Sequence, residues 1–70
     1  MVKEVRIGDE VDLDGTPATV FDILETVKQM HQCGFEEPTV GFKTKRYGEI
    51  YQSTRDPGWD EIVLLKRAVT

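Results

Sequence analysis

Ile7-Gly8-Asp9-Glu10-Val11-Asp12-Leu13-Asp14-Gly15-Thr16-Pro17-Ala18-Thr19-Val20 is the stretch on which the fold turns. Val5, Ile7, Val11 and Leu13 alternate with polar residues, with an interruption at Gly8-Asp9. Side chains of a strand point to opposite faces in turn, so Val11-Asp12-Leu13 reads as a half-buried strand. Asp14-Gly15 then signals a tight hairpin turn. A second strand starts at Thr16, with Pro17 placed near its beginning, where the missing N–H does least harm. Its Thr19, Val20, Phe21 and Ile23 are the β-branched and aromatic types that suit a pleated surface. Simple alternation puts Ala18, Val20 and Asp22 on one face and Thr19, Phe21 and Ile23 on the other. Both faces carry apolar residues, so the strand is expected to be central or strongly bent.

Beyond it, Leu24, Val27, Met30 and His31 fall at helical spacing and predict a short helix over residues 25–33. Thr26 suits the N-cap, and Gly34 can take the left-handed conformation that closes a helix. Phe35 then stands where a Schellman closure sets an apolar residue against the last turn, here Met30 or His31. Two helical turns are not stable alone, so this helix is expected to pack on the sheet. Residues 39–44 and 49–54 read as an antiparallel pair joined by Lys45-Arg46-Tyr47-Gly48, with glycine at the positive-φ position. Asp56-Pro57-Gly58 is a further turn, with proline presetting φ and Gly58 expected at positive φ. Residues 59–68 form the last strand. The fold class expected is mainly β: a five-stranded small barrel or curved antiparallel sheet with one short helix after strand two, in a single domain.

The stretch Ile7–Val20 resembles the opening of many SH3-like small β-barrels: an apolar–Gly–Asp–x–Val start, an apolar strand, a glycine turn, then a strand carrying Ala and Val. Trp59–Lys66 resembles their closing strand. The excursion 25–37 is long for such a barrel, and the tyrosine-rich groove motif and paired tryptophans of signalling SH3 domains are absent. Barrels of this kind bind peptides, RNA, DNA or other proteins, so the resemblance implies a fold and leaves function open.

The chain has 70 residues. A domain of this size hides only about 60% of the surface its unfolded chain exposes, so nearly every apolar residue is needed for the core. A deep substrate cavity would remove core that cannot be spared, which favours a non-enzymatic surface-binding module, open to homo-oligomerisation. Cys33 is the single cysteine, so no internal disulfide can form, and a reducing compartment is expected. Met1–Gly8 is charged and has no long apolar run, so neither a signal peptide nor a membrane span is expected, and the location expected is cytoplasmic.

Net charge is −4 and unevenly placed. Residues 1–37 hold nine acids against three bases, and residues 38–70 six bases against four acids. An acidic whole is a poor general nucleic-acid binder, though a local basic patch can still serve.

Two surfaces follow from this map. Glu10, Asp12 and Asp14 would line one strand face as a docking stripe for a basic partner, with Tyr47, Tyr51 and Trp59 as aromatic anchors; a solvated strand face, and Trp59 as a lid on the core, are the plainer readings. In the basic hairpin, Phe42, Lys43, Lys45, Arg46 and Tyr47 combine cations for phosphates with rings for unpaired bases; a charged turn over core aromatics is the plainer reading. His31 and Cys33, two apart on a helix, point to different sides and have no further Cys or His to complete a metal site. Cys33 is expected to be a small buried residue. No catalytic constellation, metal or cofactor is expected. The function expected is a small protein-interaction or regulatory protein, such as an inhibitor, docking on a larger macromolecule through an unidentified protein partner; the alternative is nucleic-acid binding through the hairpin 42–51.

Overall fold

The computed structural model describes residues 5–68, and the reading of Met1–Gly8 as free of an apolar leader lies partly outside them. β1 (Glu10–Leu13) buries Val11 and half-buries Leu13, as the alternation predicts. The chain reverses at Asp14-Gly15, with φ of 51° and 88°. Two successive positive φ values define the mirror-image turn whose twist matches that of paired strands, which is why Asp-Gly serves there. β2 (Thr16–Leu24) runs back antiparallel, Leu13 opposite Thr16.

β2 is the central strand of one five-stranded sheet, ordered β4-β3-β2-β1-β5. Its first half pairs with β1, and from Ala18 onward it pairs with β3 (Thr39–Thr44). A bulge between Val20 and Asp22 inserts Phe21 as an extra residue. That insertion reverses the alternation. Ala18 and Val20 face the core before it, and Ile23, opposite Val40, packs against the core after it. Ile23 thus shares a face with Ala18 and Val20, which simple period-two reading had separated.

β3 leads to β4 (Gly48–Ser53) through Lys45-Arg46-Tyr47, with Gly48 at φ 72°. The Thr44 hydroxyl organises this turn: it accepts from the Tyr47 N–H at 2.8 Å and donates to the Gly48 carbonyl at 3.0 Å. After β4 the chain departs from the expected long strand. Residues Pro57–Glu61 form a 3-10 turn, and β5 (Val63–Lys66) begins only afterwards. Pro57 starts the turn, and the Asp56 carboxylate caps it by accepting from the Gly58 N–H at 2.8 Å. Gly58 is not at positive φ. The turn lays Trp59 and Ile62 onto the face formed by Val11, Val20, Val40 and Phe42, completing the core. β5 pairs with β1, so the sheet is curved but open, ending at β4 and β5.

The excursion holds α1 (Val27–Gln32). Thr26 caps it as expected, in a reciprocal box: the Gln29 N–H donates to the Thr26 hydroxyl, and the Gln29 side-chain oxygen accepts from the Thr26 N–H. Gly34 at φ 80° closes it, with its N–H on the His31 carbonyl and the Phe35 N–H on the Met30 carbonyl at 2.8 Å. These are the paired bonds of a Schellman motif. No residue of α1 is buried, which corrects the expectation that it packs on the sheet: its ends are satisfied locally. Cys33 is likewise exposed rather than buried. No helix among the described residues is long and apolar enough to cross a membrane.

Candidate functional site

Trp59 is 2% exposed and Phe42 is fully buried, their ring centroids 6.2 Å apart. Neither reaches a partner. The aromatic anchor expected at Trp59 and the base-stacking ring expected at Phe42 are both core. Trp59 is brought inward because the 3-10 turn, rather than an extended strand, carries it. Its indole N–H has no acceptor among the described residues.

The acidic stripe is also divided. Glu10 is exposed on β1, and Asp12 is half-buried opposite Pro17 and Val63. Asp14 lies in the hairpin turn at φ 51°, beyond the end of β1. Glu10 stands opposite Thr19 on β2 and Lys66 on β5, while Thr19 in turn stands opposite Lys43, and Lys43 opposite Glu49. Lys66, Glu10, Thr19, Lys43 and Glu49 therefore form a row across the sheet in which charges of both signs alternate.

The basic residues do converge. Pairing of Ala18 with Thr44 sets the β3–β4 turn beside the β1–β2 turn. Beside them lies a groove of about 550 Å³ whose lining includes Lys43, Lys45 and Arg46 together with Pro17 and Leu65. Gly15, Thr16, Thr19 and Glu10 also line it. Leu65 is 58% exposed, at the register shift between β1 and β5. Lys43 is held between the Glu49 carboxylate at 4.0 Å and the Phe21 ring at 5.3 Å. Tyr47 is 60% exposed outside the groove, with the Arg46 guanidinium 5.3 Å from its ring centre.

Tyr51 belongs to another cluster, with Phe21 and Phe35. Burial pushes its hydroxyl pKa above the ordinary 10.0, and the charges of Asp22, Cys33 and Glu49 add to the rise. Among the described residues no three of His, Cys, Asp and Glu gather as a metal site, and His31 and Cys33 are both exposed.

Asp9, which no sequence pattern marked as a core residue, is fully buried. Its Oδ1 accepts from the Ala68 N–H at 2.7 Å; its Oδ2 accepts from the Arg6 N–H at 2.8 Å and from the Arg67 guanidinium at 3.0 Å. Its own carbonyl accepts from the Val20 N–H, and its N–H donates to the Arg6 carbonyl. The Ala68 N–H leads in holding its carboxyl below the ordinary 3.8, with Arg6 and Arg67 contributing, against the opposing effect of burial. Asp9 is a structural clasp. The places of Pro17 and Leu65 at the groove and of Phe21 beside Tyr51 were not legible, because strand pairing rather than neighbouring sequence assembles them.

No protein-family model matches the chain, and no curated protein or solved structure matches it either.

Proposed function

We propose that this chain is a small, non-enzymatic protein-interaction module, and that the groove beside the β1–β2 and β3–β4 turns receives an acidic segment of a larger protein. The observation that carries this reading is the lining itself: Lys43, Lys45 and Arg46 share a groove of about 550 Å³ with Pro17 and the exposed Leu65. Cations would pair with carboxylates of the segment, and the apolar residues would cover one of its side chains. The SH3-like reading belongs to the same proposal. It is supported by the pairing of β1 with β5, which sets the stretches carrying the resemblance side by side.

Nucleic acid is the second reading, favoured by the convergence of Lys43, Lys45 and Arg46. Against it stands the burial of Phe42, which leaves the hairpin without the ring expected to stack on a base. Stacking surfaces are what a reader of unpaired bases requires, and the groove lining has no aromatic ring.

Affinity capture of the tagged protein from its native lysate, with and without nuclease, separates the two. A bound protein that survives nuclease and is weakened at least tenfold by Lys45→Glu with Arg46→Glu supports the interaction module. Nucleic acid recovered alone, and lost with the same double variant, replaces it with the second reading. A protein partner held equally by the wild type and the double variant moves the docking surface away from the groove.

A further inference from the structure

Gly41 faces away from the core, and over it the rings of Phe21 and Tyr51 meet, with Phe35 against Tyr51. Tyr51 stands opposite Gly41 in the register, and the β2 bulge presents Phe21 beside it. The centroids of Phe21 and Tyr51 are 5.7 Å apart, nearly edge to face, and Phe35 lies 5.3 Å from Tyr51. A Cβ at position 41 would stand 2.9 Å from Phe21 Cε1 and 3.0 Å from Tyr51 Cε1, so glycine is what lets these rings approach. Beside Phe35 and Tyr51 opens a cavity of about 400 Å³, rimmed by Glu36, Glu37, Thr39 and Ser53. The Ser53 hydroxyl donates to Glu37 Oε2 at 2.6 Å and so fixes one carboxylate at the rim. No cation lines this cup.

Aromatic faces and carboxylates attract positive charge. The cluster already holds one cation of its own chain, with Lys43 Nζ 5.3 Å from the Phe21 centroid. The Phe35–Tyr51 side has the same ring chemistry, two carboxylates and space the size of a side chain. We propose that this cup receives a cationic side chain, an ammonium or guanidinium group, from a protein partner. The negative charge that Asp22 and Glu49 bring to the Tyr51 hydroxyl acts in the same direction. The cup shares no lining residue with the basic groove. It rests only on the reading of the chain as a protein-binding module, and a small probe tests it apart from any partner.

That probe is N-acetyl-arginine amide, titrated into the folded protein while ring-proton resonances are followed by NMR, with the neutral isostere N-acetyl-citrulline amide as control. Saturable shifts at Phe35 and Tyr51 with the arginine compound alone are expected. Tyr51→Ala should weaken binding roughly fivefold to tenfold, Glu37→Gln roughly threefold, and Tyr51→Phe little, because the ring remains. Lys45→Glu with Arg46→Glu, which disables the groove, should leave the titration unchanged. Unmoved core signals from Phe42 and Trp59 establish that each variant is folded. Equal shifts with the citrulline compound, silent ring protons, or undiminished binding by Tyr51→Ala with Glu37→Gln would overturn the proposal.

Discussion

The Asp9 corner and the α1 excursion are pinned by the same chemistry, a side-chain oxygen receiving backbone N–H groups, yet they hold different things. At the corner, a fully buried carboxylate reaches 59 residues along the chain to the Ala68 N–H. At α1, Thr26 and Gln29 exchange bonds three residues apart, exposed to water. Water can replace the second pair but not the first, because a buried donor left unpaired bears its full desolvation penalty. The difference teaches that a cap matters by what else is lost when it opens. Asp9 connects the approach to β1 with the exit from β5, whereas Thr26 holds only its own turn.

The comparison breaks first, if it breaks, at Asp9→Ala. Removing the carboxylate strands the N–H groups of Arg6 and Ala68, and the thermal midpoint should fall by roughly 10 °C or more. A wild-type melting curve would show the corner to be dispensable. The same contact should shape the acid limb of stability. Because the folded Asp9 carboxyl titrates below its ordinary 3.8, its contribution is in place above that pH and is withdrawn as pH falls through the lower folded value. Unfolding curves measured at successive pH values should show this loss in the wild type and lack it in Asp9→Ala.

A substitution between the two regions sharpens the contrast. Gly41→Ala forces a Cβ to 2.9 Å from Phe21, which should cost about 1–3 kcal/mol in denaturant unfolding and detach Phe35 from Tyr51, freeing the excursion while the Asp9 bonds persist. Unchanged ring-current shifts at Phe35 would show that the cluster has room to spare. Gly34→Ala must place a Cβ at φ 80° and should destabilise by about 1 kcal/mol, although nothing lies within 4 Å of that Cβ. The smallest effect belongs to Thr26→Ala. It should raise amide exchange around Gln29 by a local cost of about 1 kcal/mol and leave the global midpoint nearly unmoved. A global shift as large as that of Asp9→Ala would erase the distinction between the regions.

The same division explains what could be read from the sequence. Asp14-Gly15, Thr26 and the Gly34-Phe35 closure were legible because a few consecutive residues fully determine each geometry. The strand count and the hairpin from β3 to β4 were legible for the same reason. The β2 bulge was not, since Phe21 looks like any outward aromatic until pairing with β3 shows one residue too many. Residues 57–61 were read as a turn followed by a strand. Proline and a capping aspartate suit a turn and a 3-10 start alike, and only burial of Trp59 in the core decides between them. Of the basic hairpin, Lys43, Lys45 and Arg46 line one groove while Phe42 is core and Tyr47 lies outside it, and the apolar residues of that lining, Pro17 and Leu65, depended on the register of β1 with β2 and β5. Gly41 stands in no turn motif, and its role exists only because Phe21 and Tyr51 arrive from two neighbouring strands.

Pairing between β1 and β5 also fixes how the fold meets a pulling force. Glu10 and Lys66 are partners at one end of that ladder, and Asp9 and Ala68 join just beyond it. Tension applied outward from residue 8 and residue 68 reaches the Asp9 bonds first and then the rungs one at a time. Antiparallel strands drawn apart from the same end unzip instead of sliding past one another with all rungs loaded together. The Asp9 clasp therefore stands at the end of the β1–β5 ladder from which such unzipping starts.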